Sequence, residues 1–149
     1  MVTSQKIDFE TFSGSTTQWR SWTPTLTNFT GTVNVARYTL VGKTCYFYIK
    51  VTQGPTVSGR HTFSLPLPAA ASWVDTGGWG GPIAIGDILD AGTAIYNGAG
   101  GIMTSTTCAL MYPHVSGGLI DYLPSSPSAP MVWVSGSDWF RLYGSYETA

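Results

Sequence analysis

The chain has 149 residues, and only 10% of them are charged, against about 25% in an ordinary soluble domain. Seven Lys plus Arg nearly balance eight Asp plus Glu and are scattered, so no basic stripe is present to neutralise phosphates, which argues against a nucleic-acid partner. Six Trp, eight Tyr and six Phe exclude a disordered chain. No run of 18 apolar residues occurs, and "MVTSQKIDFETFSG" lacks the apolar centre of a signal peptide, so the expectation is a protein made and folded in a cytoplasm without membrane insertion.

Residues 1–19 are polar and Ser/Thr-rich, with Ile7, Phe9 and Phe12 as isolated apolar anchors in "IDFETF". They read either as an arm that docks on a neighbour or as a frayed terminus. From residue 20 to 149 one module is expected. Short apolar runs recur between turn signals, β-branched and aromatic residues dominate, and no window repeats apolar positions at helical spacing. The predicted strands are Trp22–Thr27, Val33–Val41, Lys43–Thr52, Arg60–Leu65, Ile83–Leu89, Thr93–Tyr96, Gly101–Met103, Thr107–Tyr112, Leu119–Asp121, Met131–Val134 and Trp139–Tyr146. "VGKT" is a predicted hairpin turn, and "DAGT" and "NGAGG" are predicted tight turns because Asn and Gly accept positive φ at low cost. "LPSSPSAP" is a loop, since its prolines cannot donate to a ladder. The fold class expected is all-β, a compact antiparallel β-sandwich or jelly-roll-like module.

One stretch sets a structural problem. In "RYTLVGKTCYFYIKVTQG", Cys45, Phe47, Ile49 and Val51 alternate with Tyr46, Tyr48 and Lys50, so both faces of one strand are largely apolar or aromatic. A half-buried strand needs only one such face. The second, carrying Tyr46 and Tyr48, is the candidate subunit interface, because interface cores are poor in charge and rich in aromatic residues.

Raw material for catalysis is thin. His61 and His114 have no nucleophile-elbow sequence beside them. Asp87 and Asp90 lack the further oxygen ligands of a calcium loop, and Asp90 reads as a turn residue. Asp75, Asp121 and Asp138 are carboxylates whose convergence would be needed for glycoside hydrolysis. Cys45 and Cys108 sit in apolar runs without ligand spacing and read as buried free thiols, a disulfide between them being the alternative. The glycine clusters "TGGWGG" and "NGAGG" lack a P-loop's lysine and flanking helix. No enzyme, metal or cofactor is expected. Trp73 and Trp79, in "ASWVDTGGWGG", are candidate contacts for a partner or a glycan, or core-closing residues.

Taken in order, "SWTPTLTNFTG", "RYTLVGKTCYFYIKVTQG", "FSLPLPA" and "WVSGSDWFRLYGSYETA" carry a W-x-P-x-L opening, a Y-x-x-V-G-K hairpin, an S-L-P step and a closing G-x-Y strand. In that order and spacing they resemble the β-rich modules at the ends of tail fibre and minor tail proteins of tailed bacteriophages, particularly those of actinobacteria, over roughly residues 20 to 149. The resemblance implies an all-β virion protein, a homotrimer without catalytic residues, whose partners are itself, other virion proteins and host cell-surface glycan. It departs at the front, where fibre proteins usually place a long shaft and here some 20 residues precede the module. A minor tail or tail-tip position is the first expectation, a capsid-decorating position the second, and a free lectin or glycan-active enzyme the rival.

Overall fold

The computed structural model describes residues 18–74, 82–113, 120–122 and 134–149. Among the described residues there are eight strands: β1 (Arg20–Ser21), β2 (Leu26–Val41), β3 (Thr44–Ser64), β4 (Pro82–Asp90), β5 (Ala94–Thr104), β6 (Thr107–Pro113), β7 (Ile120–Tyr122) and β8 (Trp139–Glu147). Among the described residues the helical content is one 3-10 turn, Ala71–Trp73. The expected arm residues Ile7, Phe9 and Phe12 lie outside the described residues, as do Trp79, His114 and most of the predicted strand Met131–Val134.

These strands pair antiparallel, in the order β1-β2-β3-β8-β4-β5-β6-β7, with a further pairing of β3 to β6. That pairing closes β3, β8, β4, β5 and β6 into a five-stranded barrel, with β2 and β1 extending from β3 and β7 from β6. The all-β, antiparallel expectation therefore holds. Its arrangement is a closed barrel with flanking strands; a second sheet stacked as in a sandwich is not found among the described residues. The reason is the length of β3. Its first half, Thr44–Thr52, pairs with β8, and its far end, Thr62–Ser64, pairs with β6, so one strand borders both ends of the ribbon and joins them.

β3 covers two predicted strands in a single 21-residue element. The chain continues through "QGPTVSG" because β2 accompanies it, with register shifts between Thr27 and Phe29, Phe29 and Gly31, and Val33 and Val35. Where the ladder is interrupted, side chains take over. Gln53 Nε2 donates to the carbonyls of Gly54 (2.9 Å) and Thr56 (3.3 Å), the Thr56 N–H donates to Thr30 Oγ1, and Asn28, at φ 67°, donates from Nδ2 to the Arg60 carbonyl. Backbone groups in such a bulge need these partners. The predicted hairpin turn is present: Val41 faces Thr44, and Gly42 takes φ 59° at the first central position, where a type II′ turn requires glycine.

"NGAGG" is not a turn. Asn97–Gly101 lies inside β5, which runs unbroken from Ala94 to Thr104 and merges two predicted strands. Glycine is needed there for space: a Cβ on Gly100 would stand 2.9 Å from Cys108 Sγ and 3.1 Å from Leu142 Cδ1. β3 and β8 contribute Phe47, Phe63, Phe140 and Tyr146 to the interior, and a glycine on β8 makes room among them, since a Cβ on Gly144 would stand 2.6 Å from Phe47 Cε1.

The core is this interior. Cys45, Phe47, Ile49, Val51, Phe63, Ile88, Ile102, Cys108, Leu110, Phe140, Leu142 and Tyr146 are at most 2% exposed, each large side chain contributing about 1.5–3 kcal/mol relative to exposure. Cys45 and Cys108 are both buried free thiols. At one end of the barrel the Tyr146 hydroxyl donates to the Leu67 carbonyl (2.7 Å) and accepts from the Leu67 N–H (3.2 Å), binding "FSLPLPA" across the opening. At the other end, buried Asp138 accepts from the N–H groups of Ala91 and Val134, while its backbone N–H and C=O pair with Val134 and Gln53.

Candidate functional site, an interaction face

The alternation in β3 settles where its second apolar face points. Cys45, Phe47, Ile49 and Val51 fill the barrel, so Tyr46, Tyr48, Lys50 and Thr52 stand on its outside. Register then assembles rows across neighbouring strands. Arg37, Tyr48, Tyr143 and Ile85 are consecutive partners across β2, β3, β8 and β4. The next row is Val35, Lys50, Arg141, Asp87 and Asn97, and beyond it come Thr52, Trp139, Leu89 and Ile95. A charged row thus lies between two aromatic and aliphatic ones.

The middle row is internally organised. Arg141 donates from Nε (2.7 Å) and Nη2 (2.6 Å) to Asp87 Oδ2, which raises the guanidinium pKa further above its usual value. Lys50 Nζ lies 4.6 Å and the Arg141 guanidinium carbon 5.4 Å from the centre of the Trp139 ring, within cation–π range. In the first row the Tyr48 and Tyr143 rings stack, with centroids 4.7 Å apart and planes 21° from parallel. Partial burial, with the neighbouring Tyr143, pushes the Tyr48 phenol pKa up.

Nothing among the described residues closes over these rows. Ile85 is 73% exposed, Ile95 66%, Tyr143 50% and Tyr46 43%. Tyr143 divides two shallow depressions. One, of about 500 Å³, is bordered by Tyr46, Ile83, Ile85 and Ser145; the other, of about 260 Å³, by Trp19, Arg37 and Tyr48. Single exposed apolar residues are ordinary, whereas a contiguous patch of them marks a contact surface.

Both sequence-predicted interface residues, Tyr46 and Tyr48, lie on this face. Tyr143, Ile85, Trp139 and Ile95 were not foreseen, although the signal was available: "WFRLYGSY" alternates Phe140, Leu142 and Tyr146 with Trp139, Arg141 and Tyr143 just as β3 does. Trp73 is partly exposed on the 3-10 turn.

Among the described residues the candidate chemical residues are dispersed. His61 is fully buried with its ring 4.5 Å from that of Phe29. Asp87 is in the ion pair, and Asp138 is held by backbone N–H groups. Asp90 closes the turn before β5 through its backbone carbonyl, which accepts from the Thr93 N–H. Asp121 falls on β7 opposite Tyr112, and Asp75 lies outside the described residues. Among the described residues no three His, Cys, Asp or Glu side chains gather as a metal site. Burial raises the thiol pKa of both Cys45 and Cys108, which suits packing and not nucleophilic attack.

No protein-family model, curated protein or solved structure matches this chain.

Proposed function

We propose that this protein is a structural module of a bacteriophage particle that assembles as a homotrimer through the outer face of its barrel and catalyses no reaction. The observation that carries the reading is the uncovered pair of aromatic and aliphatic rows around Tyr46, Tyr48, Tyr143 and Ile85. A chain with so few charges gains solubility by hiding such a surface against copies of itself, and closed assemblies are the common way to do so. The phage assignment, the number three and a place at the tail tip or fibre end rest on the sequence resemblance. Trp73 and Trp79 are the proposed outward contacts toward other virion proteins or host glycan.

Multi-angle light scattering across micromolar concentrations tests the assembly, with the mass of three protomers expected; a monomer throughout overturns it. Copy number per particle separates the tail position from a capsid-decorating one, tens of copies or fewer against hundreds. A lectin reading has one observation in its favour, the stacked Tyr48–Tyr143 pair beside Trp19 and Arg37, since flat aromatic faces stack on sugar rings. Glycan-array binding abolished by Tyr143→Ala, in a variant that stays folded, would favour it.

A further inference from the structure

The strand pairing at the start of the barrel bears on what covers the outer face. β1 joins β2 with Arg20 opposite Tyr38 and Ser21 opposite Arg37. Followed backward from Arg20, the antiparallel register leaves only Thr39, Leu40 and Val41 of β2 before the turn at Gly42. β2 therefore offers backbone partners as far back as Thr17 and no further. An extended chain spans about 3.4 Å per residue, so the ten residues from Thr17 to Ile7 reach roughly 34 Å past that point, enough to arrive at a neighbouring molecule.

The chemistry of the preceding segment matches the face. In "KIDFETF", Ile7 and Phe9 stand beside Asp8 and Glu10, so one short segment brings two apolar side chains and two carboxylates together with a single cation, Lys6. The outer face presents apolar depressions on both sides of Tyr143 and carries Arg37, Lys50 and Arg141 against two carboxylates, Asp87 and, at its margin opposite Thr44, Glu147. Asp87 is taken by Arg141, and among the described residues no carboxylate forms a salt bridge with Arg37 or Lys50. An arm with two apolar anchors and two carboxylates supplies what the surface lacks.

We infer that the segment Lys6–Phe12 of one copy lies on the outer face of a second copy, with Ile7 and Phe9 against Tyr143 and Ile85 and the carboxylates of Asp8 and Glu10 against Arg37 and Lys50. This rests on the self-assembly reading and deepens it by naming the covering element. Docked on its own barrel, the arm would close the face inside each protomer and leave copies little to meet on. Docked on the next barrel, the same contact repeats head to tail and forms a ring when its rotation closes.

Two full-length variants test it: one with Ile7→Asp and Phe9→Asp, the other with Ile85→Asp and Tyr143→Asp. Sedimentation velocity reads the mass, and circular dichroism confirms folding. Each variant alone is expected to be monomeric, and an equimolar mixture to give a one-to-one heterodimer, because an intact arm then meets an intact face in a single junction. If the arm variant keeps the wild-type mass while the face variant dissociates, the arm is overturned and self-assembly through the face stands. Two monomers that fail to combine overturn docking between copies. Retention of the wild-type mass by both variants overturns this inference and the face-mediated assembly together.

Discussion

The interior and the outer face of the barrel are made from alternate residues of the same strands, and they differ in how each is completed. Inside, Phe47, Phe63, Phe140 and Tyr146 pack on one another and around Gly144, and the volume is filled within one chain. Outside, Tyr48, Tyr143, Ile85 and Ile95 are as large and as apolar, yet stand partly or mostly in solvent. Composition alone does not distinguish a core from an interface, because both are rich in aromatics and poor in charge. What separates them here is the presence of an opposing wall: the barrel supplies its own, and among the described residues nothing supplies one for the outer rows.

The sharpest way to break the interior is to empty it. Phe47→Ala removes a ring that contacts Trp22, Phe63 and Tyr146, and a loss of about 3–5 kcal/mol is expected in urea unfolding. Overfilling is nearly as costly. A Cβ on Gly86 would come within 1.8 Å of the Arg141 carbonyl oxygen, a backbone atom that cannot swing aside, so Gly86→Ala is expected to cost about 3 kcal/mol by the same measurement.

Titration probes the same contrast. Burial, then the bond with the Cys45 thiol, raises the Tyr146 phenol above its ordinary 10.0, and burial raises Cys108 above 9.0. The unfolded chain therefore loses these protons first as pH rises. Their contribution to stability is complete below those ordinary values and is lost as pH climbs from them toward the folded values. The urea midpoint should fall above pH 9–10, and less steeply in Tyr146→Phe, which also gives up about 1 kcal/mol at neutral pH with the Leu67 hydrogen bond. An unchanged alkaline slope in that variant would remove Tyr146 from the account. Both cysteines should resist thiol reagents until the protein unfolds.

The fold class was legible in the sequence because period-2 alternation and turn residues are local signals. Closure of the barrel was not. It depends on β3 pairing with β6 through only Thr62–Ser64, a non-local contact with no mark in the residues themselves. The glycines misled for a physical reason: "NGAGG" carries turn chemistry, while Gly100 serves close packing against Cys108 and Leu142, and a sequence shows glycine without showing which constraint calls for it. The candidate face was half-legible. β3 advertised Tyr46 and Tyr48, but the rows include Tyr143 and Ile85 only once the order β3-β8-β4 is known.

On the outer face the expected effects on folding are small and those on assembly large. Ile85→Ser removes a side chain with few neighbours of its own chain, so protomer stability at high dilution should change by no more than about 0.5 kcal/mol. What it should abolish is the dependence of the unfolding midpoint on protein concentration, which mass action imposes on any chain stabilised by its copies. A midpoint that never depended on concentration in the wild type would remove the assembly argument at its root.

Asp87→Asn should have the least effect on folding. The Arg141–Asp87 pair is partly exposed on both sides, at 41% and 30%, and such pairs are screened by water and salt, so no measurable change in the unfolding midpoint is expected. Its consequence should appear in assembly instead. Without Asp87, Arg141 joins Arg37 and Lys50 as a third cation without a carboxylate partner on the face, which favours an acidic segment arriving from a neighbour. At low ionic strength Asp87→Asn should therefore tighten self-association, with the gain fading as salt approaches 1 M, where the screening length falls to about 3 Å. Sedimentation equilibrium over a salt series reads this directly; weaker association at low salt would show that Asp87 itself makes a contact across the interface, and the charge pattern assigned to the middle row would have to be reversed.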